Sequence, residues 1–221
     1  MKKERYYYGT TITDFLNLSL DEIIGKLVMA SSKSDNPETK SSWYEEIEML
    51  KKSLVDYSGR GSIFMEYSIP RMGRRADVII LIDGIIFVLE FKTAGSRFSH
   101  HALTQVWDYA IDLKNFQLKT FARTLIPIVV VPGEKDSNCI TELIPFEDNV
   151  FLPTQVNGGK LKEVISDVLL TVPRIKFEDS DIQWARGGYE PTPTIIEAAV
   201  ALYSGHSVED ITKHDGDLEA T

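Results

Sequence analysis

The sequence predicts an α/β fold, with a central mixed sheet flanked by helices. Three observations predict it. The stretches Ile63 to Ile69, Ala76 to Ile82 and Ile85 to Phe91 are strand-length and rich in apolar residues, the first alternating and the others nearly all apolar. Asp83-Gly84 lies between the last two and signals a two-residue hairpin. Stripes at helical spacing bracket these strands: Trp43, Ile47, Leu50 and Leu54 before them, and Ala102, Val106, Ala110 and Leu113 after.

Taken in order, Ser19-Leu-Asp-Glu22 is a capping box opening a short helix through about Met29. Ser31 to Lys40 is polar and reads as a loop, and Ser42-Trp-Tyr-Glu45 reads as a second capping box. After the hairpin a helix is expected from about His100 to Leu118, then a buried strand from Ile126 to Val131 ended by Pro132-Gly133. Val150 to Val156 is a further strand candidate weakened by Pro153, and Lys160 to Leu170 has a helical pattern. Residues 1–175 are therefore read as one domain. Residues 176–221 are read as an acidic connector with a short helix from about Thr194 to Tyr203.

Composition narrows the class. Apolar residues make up 43% and charged residues 26% of the 221, as in ordinary globular proteins. No apolar run is long enough to span a bilayer, the N-terminus carries no signal-peptide core, and a cytoplasmic setting is expected. The single cysteine, Cys139, excludes an internal disulfide and a cysteine-based zinc site. A net charge of −9 argues at first against a nucleic-acid partner. Its distribution weakens that objection: from Glu178 onward ten acids meet two bases, whereas from Arg60 to Arg123 nine bases meet six acids.

The hairpin carries the chemistry. With Asp83-Gly84 as the turn, Ile82 faces Ile85, Ile80 faces Phe87, Val78 faces Leu89 and Asp77 faces Glu90. Two carboxylates then oppose each other at the open end of an apolar hairpin, where like charges are destabilising without a cation or shared proton. Lys92, two residues beyond Glu90, joins the same face. Carboxylate, carboxylate and ammonium suit phosphodiester hydrolysis, and oxygen donors select Mg²⁺ or Mn²⁺ over zinc. The bland alternative is a pair of strand-end acids neutralised by a lysine; the opposed Asp77 is the harder coincidence.

These residues resemble the PD-(D/E)xK nuclease superfamily. Asp77 corresponds to its first carboxylate and Val88-Leu-Glu90-Phe-Lys92 to its ExK triplet, with Ala76 where the family often has proline. Gln105-Val-Trp-Asp-Tyr109 resembles the QxxxY signature of the RecB-like branch. The resemblance implies a restriction-endonuclease-like αβββαβ core and a metal-dependent nuclease acting on DNA, with RNA also open. It also implies a further acid from the first helix. Glu46 lies at the edge of the Trp43 stripe and is assigned that role, with Glu66 as its rival. Catalytic residues are thus expected to be Asp77, Glu90, Lys92, Gln105, Tyr109 and Glu46, with Asp77, Glu90 and Glu46 on the metal.

Arg71, Arg74, Arg75 and Arg97 are candidate nucleic-acid contacts, against the alternative of a solvated basic turn. His100 and His101, at a helix start, suit capping or DNA contact better than metal binding. Gly158-Gly-Lys160 lacks the rest of a P-loop. The stretches Phe64 to Arg71, Gln105 to Phe116 and Pro191 to Ala199 resemble the N-terminal region of bacterial proteins in which a nuclease-like domain precedes a P-loop, helicase-like ATPase. That likeness implies a C-terminal ATPase partner, a role in phage defence or repair, and a homodimer as in many relatives of the fold. Two rivals stand beside the enzyme: a non-cleaving nucleic-acid-binding module, and an ATPase-docking domain.

Overall fold

The computed structural model describes residues 4–31, 37–92, 99–133 and 139–190. The elements are β1 (Tyr8–Thr11), α1 (Ile12–Asn17), α2 (Leu20–Ala30), α3 (Pro37–Leu54), β2 (Gly61–Ile69), β3 (Arg74–Ile82), β4 (Ile85–Phe91) and α4 (His100–Phe116). They continue with β5 (Leu125–Val130), β6 (Thr154–Val156), α5 (Leu161–Thr171) and α6 (Asp181–Ala185). One six-stranded sheet runs β1-β2-β3-β4-β5-β6. Its first three pairings are antiparallel and its last two parallel, so the sheet is mixed.

The central strands are apolar on both faces because both faces are covered. Val78, Ile80, Phe87 and Leu89 pack with Phe15, Ile23, Ile47, Leu50 and Val164 from α1, α2, α3 and α5. Ile79, Leu81, Ile86 and Val88 pack with Ala102, Val106 and Leu113 from α4 and Trp184 from α6. The hairpin register is as the turn dictates, with Ile82 on Ile85, Ile80 on Phe87 and Val78 on Leu89. Asp83 and Gly84 have φ of +51° and +84°, the two left-handed residues that a tight turn of matching twist requires.

Several boundaries differ from the sequence reading. The capping box at Ser19 and Glu22 forms as expected. The one at Ser42 and Glu45 does not: α3 already begins at Pro37, and the Ser42 hydroxyl donates to Glu46 inside the helix. Proline at a first helical position starts a helix without needing its N–H, which the loop reading of this stretch overlooked. Pro153 confines β6 to Thr154–Val156, with Val150 making only an isolated bridge to Leu125. β1, α1 and α6 were too short to register as patterns.

Part of the stretch read as connector from residue 176 packs on the body of the fold. Trp184 is 0% exposed in the α4-side core, and its indole N–H donates to Thr120 Oγ1 at 2.8 Å. Gln117 Nε2 donates to the Trp184 carbonyl at 2.7 Å, and Tyr189 Oη donates to Asp112 at 2.5 Å. The chain is thus seated on the body through Tyr189. Residues 191–221, including the expected helix and the connector motif, lie outside the described residues. Among the described residues no helix is long and apolar enough to cross a membrane.

Candidate active site

The β3–β4 ladder ends at Val78–Leu89, and the site opens where the next rung would be. Asp77 does not close that rung. Its Oδ2 accepts the backbone N–H of Phe91 at 2.7 Å, so a side chain takes the donor that a β3 carbonyl would otherwise receive. Glu90 lies beside it, 5% exposed.

Lys92 and the α4 side chains close around one oxygen of Glu90. Lys92 Nζ donates to Glu90 Oε1 at 2.8 Å, and Gln105 Nε2 donates to the same oxygen at 2.8 Å. Gln105 Nε2 also reaches Tyr109 Oη at 2.8 Å, and its Oε1 accepts from Lys92 at 3.4 Å. Gln105 and Tyr109 are one helical turn apart, and that spacing sets Tyr109 beside the Gln105 amide that meets Glu90. The other oxygen, Glu90 Oε2, is buried without a hydrogen-bond partner among the described residues. A buried, unsatisfied carboxylate oxygen is costly and calls for an explanation.

The third acid comes from α3. Trp43, Ile47 and Leu50 bury one face of that helix against the sheet, and this draws Glu46 in with them at 7% exposure. Ser42 Oγ donates to Glu46 Oε1 at 2.5 Å. A fourth acid, Glu66 of β2, accepts from the Trp43 indole at 3.0 Å. The sequence named Glu66 only as a rival of Glu46, whereas the two stand together. A buried indole needs an acceptor, which is the signal that could have linked Trp43 to an acid in advance.

The acids perturb one another. Burial, then the charges of Glu90 and Glu46, hold the Asp77 carboxyl well above its ordinary range. Burial also raises Glu90, against the opposing pull of Lys92 and Gln105. Burial pushes Glu46 up to about 8, with the charges of Glu66 and Glu90 adding to the rise. Burial raises the Tyr109 phenol as well. Each acid rests on an internal donor, and among the described residues no three His, Cys, Asp or Glu form a group that could hold a metal ion as they stand.

The arginines divide. Arg75 is built into the fold: it donates to the Glu66 carbonyl at 2.5 Å and lies over the Tyr7 ring at 4.0 Å. Arg71 lies over the Phe116 ring at 4.6 Å. Arg74 is exposed, and its charge is felt at Tyr109. Arg97 lies outside the described residues. His100 and His101 are exposed at the start of α4, while the cap itself is Ser99, which accepts from the Ala102 N–H at 3.1 Å.

The chain matches no protein-family model, no curated protein and no solved structure.

Proposed function

We propose that this chain is a cation-dependent nuclease of the PD-(D/E)xK type, with α3, β2, β3, β4, α4 and β5 as a restriction-endonuclease-like core. The observation that carries this reading is the environment of Glu90. One of its oxygens is held by Lys92 and Gln105, and the other is buried beside further acids with no partner among the described residues. A structural salt bridge gives no reason to set three more carboxylates beside it, Glu46 among them buried, because each raises the cost of ionising the others.

The donor set fits a hard divalent cation, Mg²⁺ or Mn²⁺, since it offers carboxylate oxygens and no sulfur. Asp77, Glu90 and Glu46 are the residues that would hold it, after turning from their present donors. When bound, such a cation supplies positive charge beside a phosphoryl oxygen and lowers the pKa of a water. Lys92 keeps its ammonium partly open to solvent, at 25% side-chain exposure, where it can orient a water or face the charge that builds on phosphate. Gln105 fixes Lys92 relative to Glu90, and Tyr109 fixes Gln105. Arg74 is suited to neutralising a neighbouring phosphate of DNA, or of RNA.

One observation favours a second reading, a non-cleaving nucleic-acid-binding module: among the described residues the acids, as they stand, form no group that could hold a metal ion. The two readings separate in one assay. Purified protein is incubated with supercoiled plasmid, single-stranded DNA and RNA, with Mg²⁺, Mn²⁺ or chelator. Cutting that needs the cation and disappears in both Glu90→Ala and Lys92→Ala supports the nuclease. Binding without cutting in every condition supports the module, and cutting that survives both substitutions rules out this site.

A further inference from the structure

The acid the sequence ranked second stands in an unusual backbone. Glu66 has φ of +56° in the middle of β2. A left-handed residue inside a strand is costly for anything but glycine, and persists only where the surroundings hold it. Two contacts hold this one: Arg75 Nη1 on the Glu66 carbonyl at 2.5 Å and the Trp43 indole on its carboxylate at 3.0 Å.

The consequence is visible in the pairing. β2 and β3 are in register on both sides of this point, Met65 on Val78 and Tyr67 on Ala76, yet the rung between them, Glu66 with Asp77, is missing. Both strands change phase there. Met65 and Val78 face the α3-side core, whereas Tyr67 packs with Phe64, and Ala76 with Ile79, on the α4 side. In an unbroken strand Tyr67 would share the face of Met65. Asp77, released from the ladder on this side, takes the Phe91 N–H on the other.

We propose that Glu66 is a positioning residue that acts through its backbone. Its left-handed conformation breaks one rung of the sheet and thereby sets Asp77 against Phe91 and Glu90. The inference rests on the nuclease reading for its catalytic consequence but not for its structural one. Its carboxylate matters here as the handle by which Trp43 holds the backbone, and not as a ligand.

Three variants test it: Glu66→Gly, which accepts the conformation; Glu66→Gln, which keeps the acceptor for Trp43 and loses the charge; and Glu66→Val, which resists it, with Glu66→Ala as the milder substitute if valine does not fold. The Phe91 amide is followed by its proton shift and hydrogen exchange in the cation-free protein, and cleavage is split into kcat and KM. The expected result is a Phe91 amide close to wild type in the Gly and Gln variants and displaced, with faster exchange, in Val or Ala. Cleavage should follow the same order, with kcat in the Val variant lower by about 10²-fold, the usual scale for a misplaced reacting group, and KM little changed. An undisturbed Phe91 amide in Val and Ala overturns the proposal. So does a Gln variant as inactive as Val with its Phe91 amide in place, because the charge would then be what matters. Should the wild type itself not cut, the nuclease reading fails, and the Phe91 amide still decides this one.

Discussion

The β3–β4 hairpin carries an acid at each end, and the two ends are built oppositely. At the turn, Asp83 meets Arg60 at 2.5 Å and Arg174 at 3.3 Å, two guanidinium groups for one carboxylate. At the open end, Asp77, Glu46 and Glu66 lie close enough to Glu90 for their charges to be felt among them, and Lys92 pairs with Glu90 alone among the described residues. The first arrangement is complete within the fold. The second leaves acids held back from ionising, and a buried oxygen, to be answered from outside. An acid in an apolar hairpin is therefore no signal by itself; the ratio of acids to cations around it is what separates a structural end from a candidate site.

The comparison can be broken most forcefully through activity. Removing the Lys92 ammonium with Lys92→Ala should lower single-turnover cleavage by about 10²–10³-fold, the effect typical of one lost electrostatic stabiliser. Asp83→Asn, which keeps a residue tolerant of the left-handed turn, should cut like wild type. Equal losses at both ends would mean that the hairpin acts only as scaffold.

A second effect concerns pH. Folded Glu46 keeps its proton up to about 8, whereas the unfolded chain releases it near the ordinary 4.5. The folded state thus binds more protons between those values, so this group erodes stability as pH rises through that window and adds no further change above it. Glu46→Gln removes the erosion and keeps an acceptor for Ser42. With chelator present, the variant should gain on wild type from pH 5 to pH 8, by on the order of a few kcal/mol at the top, read from urea unfolding at each pH. A constant difference across that range would contradict the burial described here.

Arg74→Ala should weaken nucleic-acid affinity by roughly 1 kcal/mol and reduce the salt slope of binding by about one, as expected for one lost phosphate contact. The smallest effect falls at the turn: Asp83→Asn should cost about 0.5–1 kcal/mol in unfolding free energy, because its partners are partly exposed. A much larger loss would show that the turn depends on its ion pairs more than the open end does.

How far the molecule could be read from its sequence depended on the range of the forces involved. Asp83-Gly84 gives the hairpin register because a two-residue turn permits no other. Glu46 could be selected by helical phase, and Gln105 and Tyr109 by their one-turn spacing. Ser42 and Glu45 misled because the same spacing occurs inside a helix already begun at Pro37. The conformation of Glu66 was not legible, since Met-Glu-Tyr reads as strand and what bends it is distant: Trp43 in α3 and Arg75 in β3. Trp184 was likewise hidden, because an acidic stretch with Gly187-Gly188 and Pro191 reads as connector until its tryptophan is found in the core.

The most direct test of the contrast between the two ends is a calorimetric titration of Mn²⁺ into wild type, Asp77→Asn, Glu90→Gln and Asp83→Asn. Binding in wild type and Asp83→Asn, weakened about tenfold or more in the other two, is the result predicted for a cation site at the open end, where charged ligands carry the affinity. Asp77→Asn and Glu90→Gln variants that bind Mn²⁺ as wild type does, or a wild type that binds none, would contradict it.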